Sequence, residues 1–236
     1  MKVAILAGGK GSRLGRNEGV PKPLVDIDGR PLIWHIMMHY AHHGFRDFVI
    51  ALGHGGEAIR AFFDRESPPD WAVRLVDTGG GTMSGGRIKR LQSYLDDETF
   101  MLTWSDGVSD IDLGKLAAFH RAHGRLATVT AVTPPPRFGR LDLDGDRVAA
   151  FVEKPPGSEG WISGAFFVLE PGIFRYIAGD STVWERKPLE RLAGDGELMA
   201  YRHTGFWACV DTPADLANLR EAWDRGDRPW ATWETD

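Results

Sequence analysis

Short apolar runs alternate with amphipathic helical patterns along the first 133 residues, and this alternation constrains the fold more than any other feature. Such alternation is typical of an α/β fold whose sheet is mainly parallel. The predicted strands span residues 3–6, 48–51, 73–76, 100–104 and 126–132. The predicted helices span residues 31–43, 56–63, 87–95 and 113–123. We therefore expect ligands to bind at the carboxyl ends of parallel strands.

The second half of the sequence is less regular. It predicts an antiparallel hairpin that turns at residues 144–146, strands at 162–169 and 198–203, and helices near 172–177, 185–192 and 213–224. Thr212 is the expected N-cap of the last helix, with Asp215 three residues further on. Without repeats or a low-complexity linker, the chain is predicted to be one domain over residues 1–236, with a first half over 1–133 and a second half over 134–236.

Length and charge exclude several classes of protein. The chain has 236 residues, enough for one full-sized domain, and a formal net charge of −5 that disfavours nucleic-acid partners. The only cysteine, Cys209, has no partner for an internal disulfide, which favours a reducing, cytoplasmic location. Because no apolar stretch approaches the length of a membrane span, we also expect no membrane partner.

A glycine-rich segment, LAGGKGSRLGRNEGVPKPL, follows the first predicted strand over residues 6–24. Glycines at this point of an α/β sheet let the backbone approach an anionic ligand, and the basic residues add fixed positive charge. Arg13 and Lys22 are the expected phosphate ligands, and the prolines on both sides of Lys22 stiffen its backbone. A flexible surface loop with scattered charges is the alternative.

Two common glycine-loop motifs do not match this segment. The dinucleotide fingerprint requires a third glycine where Leu14 stands, so a dinucleotide reductase is disfavoured. The Walker motif, G-x-x-x-x-G-K-[ST], occurs nowhere in the sequence. The pattern that remains, G-G-x-G-S-R followed by P-K-P, suits a triphosphate whose outer two phosphates leave together.

The whole sequence resembles the sugar-1-phosphate nucleotidyltransferases, and within them the glucose-1-phosphate cytidylyltransferases. The resemblance is carried by LAGGKGSRL, PKPL, LVDTG, TMSGGRIKR, DGVSDID, PPRFGRLD, FVEKP, GFWACVDT and PWATW. It implies a three-layer, doubly wound, Rossmann-like mixed sheet that is mainly parallel. It also implies that a nucleoside triphosphate, with CTP favoured, reacts with a sugar 1-phosphate to give a nucleotide sugar and pyrophosphate.

The resemblance also implies roles for individual residues. Asp106, past the end of a strand, and Asp211, before the last helix, are the expected ligands of Mg²⁺, although an Asp-Gly turn and a helix-start carboxylate are the plain alternatives. The implied catalytic cations are Arg13, Lys22 and Lys154. The implied nucleotide-binding residues are Leu6, Ala7, Gly8, Gly9, Gly11, Ser12, Thr78, Thr82 and Gly85. The implied sugar-binding residues are Glu153, Ser163 and Gly164, although Glu153 and Lys154 could instead form a surface ion pair.

Several positions depart from the family pattern. Ser12 replaces a threonine, Ser105 replaces a glycine, and Ser163 replaces an asparagine that faces the sugar, while Gly80 and Gly81 replace polar residues. A long insertion of the family is shortened to DRESPPDW. The sugar pocket is therefore expected to differ, and another hexose or heptose phosphate remains open as the acceptor. The same chemistry with dTTP, UTP or GTP, or a non-catalytic sensor, also remains open.

Two clusters lie outside this reading. His35 and His39 have the spacing of a zinc pair, but the glutamate of the H-E-x-x-H motif is absent, so these residues and the neighbouring His42 and His43 are expected to pack in the core or at a subunit contact. Four tryptophans near the C-terminus are expected to pack the last helix onto the sheet, with a homo-oligomer interface as the rival: Trp207, Trp223, Trp230 and Trp233.

Overall fold

The computed structural model describes residues 1–9, 20–66, 68–95, 97–134, 140–144, 146–152 and 160–234. Its strands are β1 (Val3–Leu6), β2 (Asp26–Ile27), β3 (Arg30–Pro31), β4 (Asp47–Leu52), β5 (Ala72–Asp77), β6 (Phe100–Trp104), β7 (Gly107–Ser109), β8 (Ala127–Val132), β9 (Arg140–Asp144), β10 (Arg147–Val152), β11 (Ile162–Leu169), β12 (Leu198–Arg202) and β13 (Trp207–Cys209). Its α-helices are α1 (Leu32–His42), α2 (Gly56–Glu66), α3 (Ser84–Arg90), α4 (Leu113–His123), α5 (Lys187–Gly194) and α6 (Pro213–Asp224).

The central sheet has seven strands in the order β12-β8-β11-β6-β1-β4-β5. Strand β11 runs antiparallel to both of its neighbours. The other neighbouring pairs are parallel. The predicted mixed, mainly parallel sheet is therefore confirmed. The predicted hairpin at residues 144–146 is also confirmed, since β9 and β10 pair antiparallel around it.

Both faces of the sheet are covered, which makes the three layers expected from the resemblance. Side chains of a strand alternate between the two faces. On β1, Val3 and Ile5 pack in a core with residues of α1, α2, α4 and α6. Ala4 and Leu6 pack in a second core with residues of α3 and α5. A strand that is buried on both faces must be apolar along its whole length, which explains the run VAIL.

The order of the strands reverses beside β1, which lies between β4 and β6. Ligands of open α/β sheets bind in the crevice at the carboxyl ends of the strands at such a point. Here the hydroxyl of Ser105, which follows β6, donates a hydrogen bond of 2.9 Å to the carbonyl of Leu6 at the end of β1. The fold therefore places Gly8, after β1, and Asp106, after β6, at one edge.

Most elements agree with the sequence, with three informative differences. The predicted helix near 172–177 is a 3-10 helix, Pro171–Tyr176. The predicted helix 87–95 begins earlier, at Ser84, and continues beyond Arg90 as a 3-10 turn, Gln92–Tyr94. The short strands β7 and β13 were not predicted. In the part of the chain that the structure describes, we find no helix with the length and hydropathy of a membrane span.

Candidate active site

The ammonium group of Lys22 lies between two carboxylates at the carboxyl edge of the sheet. Its Nζ atom is 2.8 Å from Oδ2 of Asp106 and 2.8 Å from Oδ1 of Asp211. The two aspartates are 84 and 189 residues from Lys22 in the sequence. The fold therefore brings together the lysine and both aspartates that the sequence analysis selected.

The small β7–β13 sheet brings the two aspartates together. Cys209 pairs with Gly107 across this sheet, and the amide of Val210 donates a hydrogen bond of 2.8 Å to the carbonyl of Asp106. Asp211 follows directly. The carboxylate of Asp215 on α6 then accepts hydrogen bonds from the amide of Asp211, at 3.1 Å, and from that of Thr212, as part of the predicted capping box.

Lys22 is held by its local backbone. It opens a 3-10 helix, Lys22–Leu24, in which Pro23 is buried and the amide of Leu24 bonds to the carbonyl of Pro21. Pro21 also packs against Gly55, where φ is +73° and an added Cβ would lie 2.5 Å from Pro21 Cγ. The prolines thus fix the backbone from which the lysine side chain extends.

The charge of Lys22 is stabilised by its carboxylate partners. Burial by itself would lower the pKa of Lys22, but the charge of Asp106 and the hydrogen bonds to Asp106 and Asp211 outweigh burial, and the pKa is raised. The side chain of Lys22 is 12% exposed. Lys22 therefore stays protonated as a fixed positive charge at the edge of the sheet.

A cavity of about 830 Å³ opens beside this group. Its lining residues come from the ends of β1 and β6, the segment before α3, and residues 183–186; they are Leu6, Gly8, Gly9, Lys22, Pro23, Gly80, Gly81, Thr82, Met83, Ser84, Arg87, Trp104, Ser105, Asp106, Val183, Glu185, Arg186 and Asp211. Its volume suits a ligand of nucleotide size. The wall of the cavity contains glycines, acidic side chains and basic side chains.

A second cavity of about 700 Å³ lies at the opposite edge of the sheet, beside Arg46 before β4 and Trp71 before β5. Arg30 and Trp34 also line this second cavity. Arg46 is paired with Asp70 and Arg30 with Glu66. Because ligands of parallel sheets bind at the carboxyl edge, and the Lys22 cluster lies there, we assign the site to the first cavity.

Arg87 donates a hydrogen bond to the backbone of Gly8 in the wall of the cavity, and the sequence analysis did not predict this role. Its guanidinium donates hydrogen bonds to the carbonyl of Leu52 at 3.0 Å, to the hydroxyl of Thr78 at 2.6 Å, and to the carbonyl of Gly8 at 3.0 Å. A Cβ added at Gly8 would lie 2.3 Å from Arg87 Nη1. The only sequence signal was an arginine directly after Gly85 and Gly86 at the start of a buried helix.

The predicted nucleotide-binding residues divide into two groups. Leu6, Gly8, Gly9 and Thr82 line the cavity. Thr78 is fully buried behind it, where its hydroxyl also donates to the carbonyl of Leu52. Gly85 allows α3 to approach the carbonyl of Thr182, which an added Cβ would meet at 2.8 Å. The amide of Ala7 is bonded to the carbonyl of Ala51.

The predicted sugar-binding residues on β11 lie at a break in the strand. The register of β11 against β8 shifts between Ser163 and Phe167, and Ala165 within this stretch has a φ of +61°. The carbonyl of Gly164 accepts a hydrogen bond of 2.9 Å from the indole of Trp207 on β13. Strained backbone of this kind is common at functional sites, and Trp207 connects it to the sheet that holds Asp106.

Comparison with known proteins identifies the family. The family model described as nucleotidyl transferase matches residues 2–219. The chain belongs to this family. A glucose-1-phosphate cytidylyltransferase of Salmonella typhi is 44% identical over 99% of this chain and 100% of its own length. A mannose-1-phosphate guanyltransferase of Aspergillus fumigatus is 31% identical over 92% of this chain and 62% of its own. The crystal structure of HddC from Yersinia pseudotuberculosis is 25% identical with a TM-score of 0.76, and covers 94% of this chain and 99% of that one.

Several predicted residues of the nucleotidyltransferase site lie outside the described residues. These are Gly11, Ser12 and Arg13 in the glycine-rich segment, and Glu153 and Lys154 in the FVEKP segment. Their predicted roles stay predictions.

The described residues fit a hard divalent cation between Asp106 and Asp211. Mg²⁺ prefers carboxylate oxygens, and the lysine ammonium already shows that a cation is accepted at this point. The sulfur of Cys209 lies within 4.8 Å of both carboxylate ligand atoms. However, burial, together with the charge of Asp106, raises the pKa of Cys209 to about 12, so the thiol stays neutral beside the two charged oxygens.

Helix α1 of this nucleotidyltransferase, which carries His35 and His39, packs in the core. His35 Nε2 lies 3.1 Å from the carbonyl of Ile27, and His39 Nδ1 lies 3.1 Å from the hydroxyl of Thr232. Among the described residues, the one group of three side chains that could hold a metal ion is Asp106, Cys209 and Asp211, and it includes no histidine of α1. Trp230 is buried in the core on one face of the sheet, and Trp223 and Trp233 pack against that core, where both contact His35 of α1. Trp207 packs against the same core and donates a hydrogen bond to the carbonyl of Gly164 on β11.

Proposed function

We propose that this nucleotidyltransferase joins CTP to glucose 1-phosphate, forming CDP-glucose and releasing pyrophosphate. The observation that carries the chemistry is the Lys22, Asp106 and Asp211 cluster at the mouth of a nucleotide-sized cavity. CTP and glucose 1-phosphate are favoured because the cytidylyltransferase relative is 44% identical and the guanyltransferase relative 31% identical.

Asp106 and Asp211 are the residues that would hold Mg²⁺. When bound, the ion would neutralise phosphate oxygens and so favour both the attack and the departure of pyrophosphate. In-line attack needs no covalent enzyme intermediate. A phosphate oxygen of the sugar 1-phosphate forms a bond to the α-phosphorus, and the bond from that phosphorus to the oxygen bridging the β-phosphorus breaks. The electron pair leaves with pyrophosphate.

The backbone of Gly8 and Gly9 would bind the nucleotide closely, because the carbonyl of Gly8 is fixed by Arg87 and the cavity reaches both glycines. Thr82 lies on the same wall. Lys22, with Arg13, would stabilise the departing pyrophosphate through charge. Gly11 and Ser12 belong to the same phosphate-binding segment in this proposal.

The sugar phosphate would bind on the second half of the chain. Lys154 would offset the repulsion between the two approaching phosphates, and Glu153 would bind sugar hydroxyls. Ser163 and Gly164 would form the wall next to Trp207. Because Ser163 offers a hydroxyl rather than an amide, it would pair with different sugar hydroxyls from those that an asparagine would bind.

The test is a grid of CTP, dTTP, UTP and GTP against several sugar 1-phosphates, with and without Mg²⁺, followed by pyrophosphate release and mass spectrometry of the nucleotide sugar. We expect CTP with glucose 1-phosphate and Mg²⁺ to give the highest kcat/KM. A higher kcat/KM with GTP would mean that the preferred base is guanine and not cytosine. The HddC structure, which was also solved with GMP-PN, would then be the better guide to the base. No pyrophosphate from any pair would favour a non-catalytic sensor and overturn the proposal.

A further inference from the structure

Lys22 makes two charge-assisted hydrogen bonds, and both go to the residues proposed to hold the metal ion. The two carboxylates are 23% and 31% exposed, and the lysine side chain 12%. A divalent cation that is shared by the same two oxygen atoms would stand close to the ammonium group. Two like charges so near each other in a partly buried site repel strongly.

We infer that Lys22 and the metal ion occupy the Asp106–Asp211 pair alternately, so that the lysine must leave the aspartates before the ion can bind. The lysine is then an internal competitor of the metal ion as well as a phosphate ligand. This inference rests on the proposed function for the metal site and for the identity of the group that receives Lys22 after it leaves.

The exchange costs free energy because Lys22 must give up its two carboxylate partners. Moving the ammonium off both carboxylates breaks two hydrogen bonds and leaves a partly buried charge without its partners. A triphosphate in the neighbouring cavity would offer new anionic partners to the ammonium. Binding of the triphosphate and binding of the metal ion should therefore favour each other, and linkage requires this coupling to be reciprocal.

The structure also indicates which part moves. Pro21 and Pro23 hold the backbone around Lys22, and Pro21 is packed against Gly55. The long, unbranched lysine side chain has several rotatable bonds. Lys22 lines the same cavity as Gly8 and Gly9. The exchange therefore requires rotation of one side chain and no rearrangement of the segment that carries it.

The test measures Mn²⁺ binding to the full chain without nucleotide, by electron paramagnetic resonance of the free ion. Lys22→Met removes the competing charge and keeps the apolar stem, so Mn²⁺ affinity should rise about tenfold or more. Lys22→Arg keeps the charge and should stay close to wild type. Arg186→Met is the matched control, because it removes a cation from the wall of the same cavity. It should raise the affinity much less, by about threefold at most.

An equal rise for Lys22→Met and Arg186→Met would reduce the effect to overall charge and overturn the inference, as would an unchanged affinity of Lys22→Met. If Lys22→Met does not fold, the unmutated protein answers the question by NMR of its lysine side chains. The Lys22 signal, assigned by its loss in Lys22→Arg, should shift as Mg²⁺ saturates the site. A signal that stays unchanged at saturation contradicts the inference. Because neither readout uses substrate turnover, an inactive protein that shows the exchange would overturn the proposed function alone.

Discussion

The amide of Val210 donates a hydrogen bond of 2.8 Å to the carbonyl of Asp106, and this bond joins the two chain segments that carry the acidic pair of the site. The ladder is short, with three residues in each strand. It nevertheless holds Asp106 and Asp211 near each other, because Asp106 directly precedes β7 and Asp211 comes two residues after β13. The chemistry of the site therefore depends on a pairing between distant parts of the chain.

Removing either acidic charge should abolish most activity without unfolding the protein. We expect Asp106→Asn and Asp211→Asn each to lower kcat by about 10²- to 10⁴-fold, because each loses a charged ligand for the metal ion. Asp112→Asn is the matched control: Asp112 is the N-cap of α4, a position where asparagine is equally suitable. Near-normal kcat in both active-site variants would remove the metal site from this account.

The two glycines of the cavity should respond differently to alanine. A Cβ at Gly8 would collide with Arg87, whereas a Cβ at Gly9 would meet nothing within 4 Å. We expect Gly8→Ala to lower the free energy of unfolding by about 1–3 kcal/mol, and Gly9→Ala to change it by less than about 0.5 kcal/mol. Urea unfolding measures both. Equal losses would contradict the role of Arg87 as a fixed support behind Gly8.

Arg87 should matter far more to stability than the exposed arginine on the next turn. Arg87→Met removes the buried hydrogen bonds to the carbonyls of Leu52 and Gly8 and to the hydroxyl of Thr78, and should lower the free energy of unfolding by about 2–4 kcal/mol. Arg90→Met removes an exposed pair with Asp180 and should cost less than about 1 kcal/mol. Similar losses in the two variants, measured in urea, would show that the buried network is weak.

Acid should destabilise the protein partly through His39. Burial, with a smaller contribution from the charge of His43, lowers the pKa of His39 to about 3. An unfolded histidine has a pKa of about 6.5, so the contribution of neutral His39 is complete above that pH and is lost as the pH falls toward 3. Between pH 7 and pH 5, this group should lower the free energy of unfolding by about 2 kcal/mol.

His39→Asn tests this pH dependence, since an amide can retain the hydrogen bond to Thr232. The slope of the unfolding free energy between pH 7 and pH 5 should become flatter in His39→Asn than in the wild type. His42→Asn, on the less buried side of the same helix, controls for the loss of a histidine and should leave a steeper slope than His39→Asn does. Parallel profiles for His39→Asn and the wild type would mean that His39 does not contribute.

Local signals explain which parts of the fold were predictable. Strand β1 follows from its apolar run, and α6 follows from Pro213 and the capping box of Thr212 and Asp215, since such signals lie within a few residues. The β7–β13 ladder has no comparable signal. Its strands are three residues long and about a hundred residues apart, so only the tertiary fold pairs them.

The candidate site was predictable in its residue types but not in its contacts. Asp106, Asp211 and Lys22 were selected by position and by resemblance, and they meet. The sequence analysis predicted that Lys22 binds a phosphate, and it did not predict the contacts with the two aspartates. The sequence analysis also missed Arg87. Its hydrogen bonds to the carbonyls of Leu52 and Gly8 form only because α3 packs against the ends of β4 and β1.

A crystal structure with Mn²⁺ and a non-hydrolysable CTP analogue would show both the ligands of the metal ion and the position of Lys22. We predict an anomalous Mn²⁺ peak bound to the carboxylates of Asp106 and Asp211, with the triphosphate beside Gly8 and Gly9 and the ammonium of Lys22 on its phosphates. A Mn²⁺ peak away from both aspartates, or Lys22 still bridging them beside a bound nucleotide, would contradict the account.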